Sequence, residues 1–362
     1  MRIAINTGGG DAPGLNAAIR AATLTALSKG WEVFGIRNGY GSLYTDDPFI
    51  PLTASIVKRI TMQGGTILGA ANRGNPFEYP YQKEDGTWAA EDRSDEIVKM
   101  FKKHKIDALV AIGGDGSMYI AHKLVKKGIQ IVGVPKTIDN DIYGCDVTLG
   151  FDTAVSTATE AIDKITTTAE AHQRVMVVEV MGRYAGWIAL HAGLSASADV
   201  ILIPEIPFII DDIVNKIKSV ESRGKEYAIV VVAEGATEKD GERFVRGKKI
   251  GQAELLGGIG EFLEKKLGKL TGKESRSLVL GHLQRGGMPT TYDRLISLRF
   301  GSAAIRCIDD GDFNKLVVMR ENRIQRIPIS EVAEKVKKVQ TDSDTVITAR
   351  DIGVSFGNES ER

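Results

Sequence analysis

The 362-residue sequence is long enough for two domains, each with its own apolar core. Lysine plus arginine and aspartate plus glutamate both number 47, so the formal net charge is zero. That balance argues against a nucleic-acid or membrane-surface role, since both usually need a basic excess. Met1 leads straight into a strand and no apolar run could span a bilayer, so we expect a cytoplasmic protein without a signal peptide. Cys145 and Cys307 are expected to be buried, reduced thiols.

Short apolar runs alternate with helical patterns along the first two-thirds of the chain, as a parallel sheet with crossover helices requires. In chain order we predict strands at 3–6, 32–36, 108–112, 131–134, 175–180, 200–203 and 228–233, and helices at 15–28, 95–104, 118–127, 153–169, 213–220 and 252–267. Residues 76–92 and 237–251 are interpreted as surface insertions. The polar tail beyond 341 is expected to fray at 358–362.

The first of three glycine-rich segments follows the first predicted strand. Gly9 and Gly14 have the spacing of a Walker A loop, but Leu15-Asn16 replace its Lys-Ser/Thr, and Pro13 breaks the dinucleotide pattern. Small residues still let backbone N–H groups approach an anion at a helix N-terminus. A tight turn without a ligand would give the same sequence, so this loop alone leaves both interpretations open.

The second segment, Gly113-Gly114-Asp115-Gly116-Ser117, also follows a predicted strand. Its glycines permit close approach of a phosphate, and its aspartate lies at the edge of the sheet where ligands bind in open α/β folds. One carboxylate beside phosphates suits Mg²⁺. The alternative is that Asp115 only caps the following helix. The accompanying third segment favours the metal role.

The third segment is rich in polar side chains. Asp139 and Asp141 are two residues apart and share one face of an extended chain, so one can accept a proton while the other organises its surroundings. Lys136 and Thr137 can donate hydrogen bonds to phosphate oxygens. An ordinary Asn/Asp-rich turn would explain the same residues.

Further cationic side chains flank the later strands. Four arginines and a histidine lie at predicted strand ends: Arg174, Arg183, Arg276, Arg285 and His282. Arginine binds phosphate through two parallel hydrogen bonds, so such a group could line an anion site. We expect these side chains to meet at one edge of the sheet.

These motifs together resemble the phosphofructokinase family. The matching strings are GGDAPGLN at 9–16, GGDGS at 113–117, PKTIDND at 135–141, MGR at 181–183 and GHLQRGG at 281–287. Their order and spacing match the family over about the first 310 residues. The resemblance implies Mg²⁺-assisted transfer of a phosphoryl group to the 1-hydroxyl of fructose 6-phosphate. A diacylglycerol- or NAD-type kinase, which shares only the second string, ranks last.

The resemblance also implies roles for individual residues. Asp139 matches the catalytic base, Thr137 and Arg183 match groups that steady the transferring phosphoryl group, and Asp115 matches the magnesium ligand. Asp141 is counted with these catalytic residues as the carboxylate that organises a metal or its neighbours. The implied donor site consists of Gly10, Asn72, Arg73, Gly114, Asp115, Gly116 and Ser117. The implied sugar-phosphate site consists of Thr137, Ile138, Asp139, Arg174, Met181, Gly182, Arg183, Glu234, Arg276, His282, Leu283, Gln284 and Arg285. Arg174 and Arg276 match arginines that reach this site from a neighbouring subunit, which implies a homotetramer or at least a dimer.

Two positions bear on the phosphoryl donor. ATP-using members of the family typically have glycine at both positions, and pyrophosphate-using members have aspartate and lysine; this chain has Gly116 and Lys136. An aspartate at 116 would collide with and repel a nucleotide. ATP is therefore favoured, pyrophosphate is the alternative, and a non-catalytic phosphometabolite sensor is a third possibility.

Other positions depart from the family pattern. Leu24 and Ala54 replace effector-site arginines, so regulation by ADP or phosphoenolpyruvate is not expected, and one extra residue precedes Arg73. We expect two doubly wound, Rossmann-like parallel-sheet domains with the active site in the cleft between them. Residues 1–150 and 284–330 would form the donor domain, and residues 151–283 and 331–362 the sugar-phosphate domain.

Overall fold

The structure, a computed structural model, describes residues 1–45, 47–71, 74–247 and 254–361. The strands are β1 (Arg2–Thr7), β2 (Glu32–Ile36), β3 (Phe49–Pro51), β4 (Tyr79–Gln82), β5 (Trp88–Glu91), β6 (Ala108–Gly113), β7 (Ile131–Pro135), β8 (Val175–Val180), β9 (Val200–Leu202), β10 (Ala228–Ala233), β11 (Val245–Gly247), β12 (Leu255–Leu256), β13 (Ser275–Val279), β14 (Lys315–Arg320) and β15 (Arg323–Pro328). The α-helices are α1 (Leu15–Leu27), α2 (Ser94–Lys103), α3 (Asp115–Lys126), α4 (Phe151–His172), α5 (Trp187–Ser195), α6 (Ile210–Ser222), α7 (Ile259–Thr271), α8 (Thr291–Asp309), α9 (Ile329–Val332) and α10 (Asp344–Asp351). Short 3₁₀ segments lie at Gly39–Tyr44, Ile60–Met62, Gly281–Arg285 and Glu359–Glu361.

The described residues fall into two compact units. Unit 1 comprises those of Met1–Thr153 and Arg285–Lys337, and unit 2 comprises 154–247, 254–284 and 338–361. The roles expected for the two domains, one for the donor and one for the sugar phosphate, stay predictions.

Unit 1 contains a seven-stranded sheet among its described strands, in the order β15-β14-β7-β6-β1-β2-β3. Strands β2, β1, β6, β7 and β14 are parallel, and only the outer strands β3 and β15 run antiparallel to their neighbours. The chain passes from β1 outward to β2 and later returns to β6 on the other side of β1. The strand order therefore reverses between β1 and β6, where open α/β sheets form their binding crevice.

Unit 2 contains a parallel four-stranded sheet among its described strands, in the order β13-β8-β10-β9. Strands β8 and β10 have the apolar sequences expected of strands covered on both faces, and every residue of both is buried. The parallel α/β fold predicted from the sequence is thus confirmed. In the described part of the chain, none of the helices is long and apolar enough to cross a membrane.

The structure differs from the sequence predictions at the tail and at the start of one helix, and it adds detail elsewhere. The tail is not frayed up to residue 361: Phe356 is fully buried, Ser355 forms a bridge with Val200, and the Ser360 hydroxyl donates to the Asp212 carboxylate at 2.8 Å. The insertion at 76–92 contains the β4–β5 hairpin. The helix expected at 252–267 begins at Ile259, and 252–253 lie outside the described residues. The prediction of buried, unpaired cysteines is confirmed for Cys145 and Cys307.

A buried carboxylate in unit 1 caps the start of α4. Asp293 is fully buried and accepts hydrogen bonds from the Gly150 N–H at 2.9 Å, the Thr153 N–H at 2.8 Å and the Thr153 hydroxyl at 2.6 Å. Burial raises the pKa of Asp293 from 3.8 to about 6, although these hydrogen bonds act in the opposite direction. The first turn of α4 is thereby fixed to the start of α8.

We expect Asp293 to make the stability depend on pH. Because its pKa is raised by folding, the folded chain keeps a proton that the unfolded chain releases between about pH 4 and 6. The free energy of unfolding therefore falls as the pH rises through this window, by on the order of 3 kcal/mol. Asp293→Asn lacks this titration. In urea unfolding, the free energy of unfolding of the variant should therefore increase relative to that of the wild type as the pH rises. Parallel pH profiles for the two proteins would contradict the assignment.

Candidate active site

The three glycine-rich or polar loops of unit 1 meet at the carboxyl ends of β1, β6 and β7. The Gly8 N–H donates to the Ile112 carbonyl oxygen at 2.9 Å, and the Lys136 N–H donates to the Gly113 carbonyl oxygen at 2.9 Å. Both bonds continue the strand pairing beyond the ends of the strands. The three loops are therefore held side by side at the point where the strand order reverses.

The glycines of these loops serve different purposes. A Cβ at Gly8 would lie 2.6 Å from the Ser117 hydroxyl oxygen, and one at Gly113 would lie 2.2 Å from the Ser117 Cβ, so both positions need glycine for packing. A Cβ at Gly116 would meet no atom of the described residues within 4 Å. Gly116 has no positive φ either. Neither packing against the described residues nor a positive φ therefore requires glycine at position 116, and the role of Gly116 toward the donor stays a prediction.

Lys136 is the cation around which the loops converge. Its side chain is 3% exposed, and its ammonium group donates to the Gly10 carbonyl oxygen at 2.5 Å. Burial, and then the neighbouring Arg285 guanidinium, lowers the pKa of Lys136 to about 8, while nearby carboxylates oppose this shift. Those carboxylates belong to Asp139, Asp11 and Asp115, one from each loop. The loops thus place acidic and basic groups around one small region.

Arg285 supports the first loop as well. Its guanidinium donates to the Asp11 carbonyl oxygen at 3.1 Å, and a Cβ at Gly10 would lie 2.7 Å from the Arg285 Nη1 atom. The first loop is therefore held by Lys136 at Gly10 and by Arg285 at Asp11. The clustering of this unit's predicted site residues is a feature of the structure, while their individual roles stay predictions.

The third loop holds Asp139 in a buried position. Asp139 is 3% exposed, its N–H donates to the Thr137 hydroxyl oxygen at 3.1 Å, and that hydroxyl lies 3.3 Å from the Asp139 carboxylate. Asn140 has a left-handed φ of 52°, and its side-chain oxygen accepts from the Thr148 N–H at 3.1 Å. The Thr148 hydroxyl donates to the Thr137 carbonyl oxygen at 2.7 Å. Sequence reasoning missed Thr148, which lies outside the PKTIDND motif and makes the loop close on itself.

The resemblance to the phosphofructokinases implies a magnesium ion, and the side chains present fit it. The described residues contain no group of three or more His, Cys, Asp or Glu side chains able to hold a metal ion alone. Mg²⁺ usually takes one or two carboxylates and completes its shell with phosphate oxygens and water, so a fully protein-built cage is not needed. Asp115, the first residue of α3, supplies one such carboxylate at the edge of the sheet.

In unit 2, another set of predicted residues lies at the carboxyl edge of the sheet. The residues in question are Met181, Gly182 and Arg183 after β8, Glu234 after β10, and His282, Leu283 and Gln284 in the 3₁₀ segment after β13. Arg183 has a left-handed φ of 52°, and its N–H donates to the Glu234 carboxylate at 3.1 Å. A Cβ at Gly235 would lie 1.8 Å from the Arg183 carbonyl oxygen, so glycine is required there. The turn that presents Arg183 is thus fixed by the end of β10.

Arg174 and Arg276 lie elsewhere, which corrects the expectation that all four arginines share one edge. Arg174 precedes β8 and Arg276 is the second residue of β13, so both lie at the amino edge of this parallel sheet. The six residues of β8 separate Arg174 from Met181 by roughly 20 Å. The Glu274 carboxylate joins the two arginines, at 2.8 Å from Arg174 and 2.5 Å from Arg276. The direction of the strand decides at which edge of the sheet an arginine lies.

Two predicted donor residues, Asn72 and Arg73, lie outside the described residues.

Sequence reasoning also missed Tyr184, whose ring lies 5.6 Å from the Arg183 guanidinium and 5.0 Å from that of Arg243 in the insertion at 237–251. The aromatic residue directly after the MGR motif was the available signal.

Comparison with known proteins assigns the chain to a family. A family model described as Phosphofructokinase matches residues 2–308. The chain belongs to the phosphofructokinase family. An ATP-dependent 6-phosphofructokinase 2 of Clostridium perfringens is 48% identical over 362 residues, covering 99% of this chain and 98% of the relative.

Other members of the family are similar too. A pyrophosphate–fructose 6-phosphate 1-phosphotransferase of Amycolatopsis methanolica is also 48% identical, over 94% of this chain and 96% of the relative. The crystal structure of Pichia pastoris phosphofructokinase matches 91% of this chain with a TM-score of 0.79 and 31% identity. This chain spans 35% of that longer protein. Overall similarity therefore establishes the family and leaves the phosphoryl donor to the residues of the site.

Proposed function

We propose that this phosphofructokinase transfers the γ-phosphoryl group of ATP to the 1-hydroxyl of fructose 6-phosphate, giving fructose 1,6-bisphosphate. This is a step of glycolysis, for which we expect a cytoplasmic location. The observation that carries the proposal is the convergence of Asp139, Asp115, Lys136 and Arg285 around the first glycine loop. Phosphoryl transfer depends on positioning and charge stabilisation, and this cluster offers a base, a carboxylate for a metal and two cations.

Each residue has a distinct chemical task in this proposal. Asp139 accepts the proton of the sugar hydroxyl as that oxygen attacks the γ-phosphorus, while the bond to the β-phosphate oxygen breaks and ADP leaves. Thr137 and Arg183 donate hydrogen bonds to the phosphoryl oxygens, on which negative charge is spread. Asp115 would hold Mg²⁺, which supplies neutralisation of the phosphate charges when bound. Glu234 and His282 are assigned to the sugar phosphate because they follow strands that end at the edge bearing Arg183.

Gly116 supports ATP as the donor. The space beside its Cα is open, and no packing or backbone constraint from the described residues explains the missing side chain. A nucleotide needs such space for its inner phosphate and ribose, whereas pyrophosphate does not extend so far. Lys136 does not oppose this proposal, because its ammonium group already binds the Gly10 carbonyl oxygen and so stabilises a loop that either donor needs.

The pyrophosphate-dependent reaction is kept as the second candidate, since Lys136 is the residue type found in pyrophosphate-using members. The test of the proposed activity is to incubate the purified protein with fructose 6-phosphate, Mg²⁺ and ATP and to follow the products by phosphorus NMR. We expect loss of the γ-phosphate signal and growth of the 1-phosphate signal. Binding of the sugar phosphate without turnover of ATP or, in a parallel reaction, of pyrophosphate would instead indicate a non-catalytic sensor.

We propose further that the active enzyme is a homo-oligomer, at least a dimer. Arg174 and Arg276 lie at the amino edge of the unit 2 sheet, far along the strands from Met181 and Arg183. The two guanidinium groups share the Glu274 carboxylate, and the Arg276 side chain is 54% exposed. A guanidinium group carries five N–H donors, so each arginine keeps donors beyond its bond to Glu274 for an anion bound by a second copy. A tetramer, as the family resemblance implies, is one such assembly.

Mixing two inactive variants tests this sharing of residues. One variant carries Arg174→Gln with Arg276→Gln, and the other carries Asp139→Ser. If the arginines serve a neighbouring copy, hybrid oligomers contain intact sites, and refolding the two variants together should restore turnover well above the sum of the separate rates. No recovery, despite hybrids detected by mass, would mean that each chain builds its site alone.

A further inference from the structure

Lys337 lies beyond residue 308, where the match to the phosphofructokinase family model ends. It belongs to unit 1, in the segment after α9. Its ammonium group donates to the Cys145 carbonyl oxygen at 2.7 Å and to the Asp146 carbonyl oxygen at 2.9 Å. Its N–H donates to the Asp141 carbonyl oxygen at 2.8 Å, and the preceding Val336 forms a bridge with Ile142. One residue thus makes three hydrogen bonds to the loop that contains Asp139.

These bonds complete the closure of that loop. Its amino-terminal half is fixed from within by Thr148, which binds the Thr137 carbonyl oxygen, and by Asn140. The Asp146 carbonyl oxygen accepts from the Asn140 side chain at 3.3 Å and from Lys337 at 2.9 Å. The Lys337 ammonium group and the Asn140 side chain therefore donate to the same oxygen atom. It joins the outer half of the loop to the turn that holds Asp139.

The surroundings of Lys337 indicate that its ammonium group is compensated by acceptors of the neighbouring loop. The side chain is partly buried, whereas the adjacent Lys338 is exposed. Burial lowers the pKa of Lys337 to about 8, and Asp141 and Asp146 are among the charges near it. A lysine taken partly out of water must be compensated by acceptors, and two carbonyl oxygens of the loop provide this compensation. An ordinary surface lysine has no such requirement.

We propose that Lys337 is a positioning residue for phosphoryl transfer, which holds the loop of residues 137–148 so that Asp139 faces the sugar hydroxyl. The inference rests on the proposed function, in which Asp139 is the base. Misplacement of a reacting group by about 1 Å can lower a rate about 100-fold, so loosening this loop affects the rate of chemistry more than substrate affinity.

The test compares Lys337→Met with its exposed neighbour, Lys338→Met. Lys337→Met should lower kcat about 10- to 100-fold while the KM for fructose 6-phosphate stays within about threefold. Lys337→Arg, which keeps donors for two carbonyl oxygens, should recover most of the loss. Lys338→Met should behave as wild type. Equal losses for both methionine variants, or a loss confined to KM, would overturn the proposal.

A double-mutant cycle separates positioning from general weakening. If Lys337 acts through Asp139, Lys337→Met should have almost no further effect on the residual rate of Asp139→Ser. Losses that multiply independently would overturn the proposal.

Amide hydrogen exchange provides a readout that does not depend on activity. Exchange within 139–148 should be at least about tenfold faster in Lys337→Met, with exchange in β1 and β6 unchanged. Acceleration throughout unit 1, or none in the loop, would overturn the proposal. The wild type could show no phosphofructokinase turnover while exchange within 139–148 is still faster in Lys337→Met. That result would overturn the proposed function but would leave intact the conclusion that Lys337 holds the loop.

Discussion

Asp139→Ser should lower kcat about 10²- to 10⁴-fold, the range for loss of a general base. A serine hydroxyl cannot take the proton of the sugar hydroxyl at neutral pH, and the buried position of Asp139 leaves little room for water to replace the carboxylate. Binding of fructose 6-phosphate should be preserved, since the other residues assigned to sugar-phosphate recognition are untouched. The measurement is kcat from initial rates, with calorimetry for sugar-phosphate binding.

Two further variants make this result interpretable. Asp139→Asn keeps the size of the side chain but cannot accept the proton, so kcat should fall as far as in Asp139→Ser. Asp163→Ser, at an exposed position on α4, should leave kcat unchanged. Near-normal turnover by Asp139→Asn would show that the carboxylate is not the base.

Gly116→Asp should lower kcat/KM for ATP by about 10- to 1000-fold, the effect of a few kcal/mol of like-charge repulsion at about 4 Å. The same change should affect pyrophosphate far less, because pyrophosphate lacks the inner phosphate and ribose that the new carboxylate would meet. The fold should tolerate the substitution. A side chain at 116 meets open space, and an acidic residue in the first turn of α3 is favoured by the helix dipole.

Gly116→Ala is the matched control for this prediction. It adds a Cβ that contacts none of the described atoms within 4 Å, so any large loss with alanine would reflect contact of that Cβ with the donor rather than charge. Comparison of the alanine and aspartate variants thus separates steric exclusion from repulsion. Equal losses of kcat/KM for ATP and pyrophosphate in Gly116→Asp would contradict the role assigned to this position.

The sequence predicts what is set locally. A buried apolar run followed by glycine and aspartate predicts the end of a parallel strand, and this reasoning correctly located the loops after β1, β6 and β7. Because carboxyl ends of parallel strands share an edge, the order of these segments also predicts the clustering of Asp115, Asp139 and Lys136. Both predictions succeed because the end of a strand and the loop after it are determined by a few consecutive residues.

Features set by long-range packing escaped prediction. Lys337 is separated by nearly 200 residues of sequence from the loop that it contacts, and no local sequence pattern predicts that contact. The tail looked polar, yet Phe356 is buried close to the edge strand β9, because one large aromatic residue can fix a short segment. Arg174 and Arg276 do not join Arg183, because they stand at the beginning of parallel strands and Arg183 follows the end of one.

The identity of the phosphoryl donor is decided by measuring kcat/KM for ATP and for pyrophosphate separately, with fructose 6-phosphate and Mg²⁺ at saturating concentrations. We predict that ATP is the preferred donor, with a higher kcat/KM than pyrophosphate, because Gly116 leaves room for the inner phosphate and ribose of a nucleotide. Turnover with pyrophosphate and none with ATP would contradict the account and would mean that Lys136 outweighs Gly116 in the choice of donor.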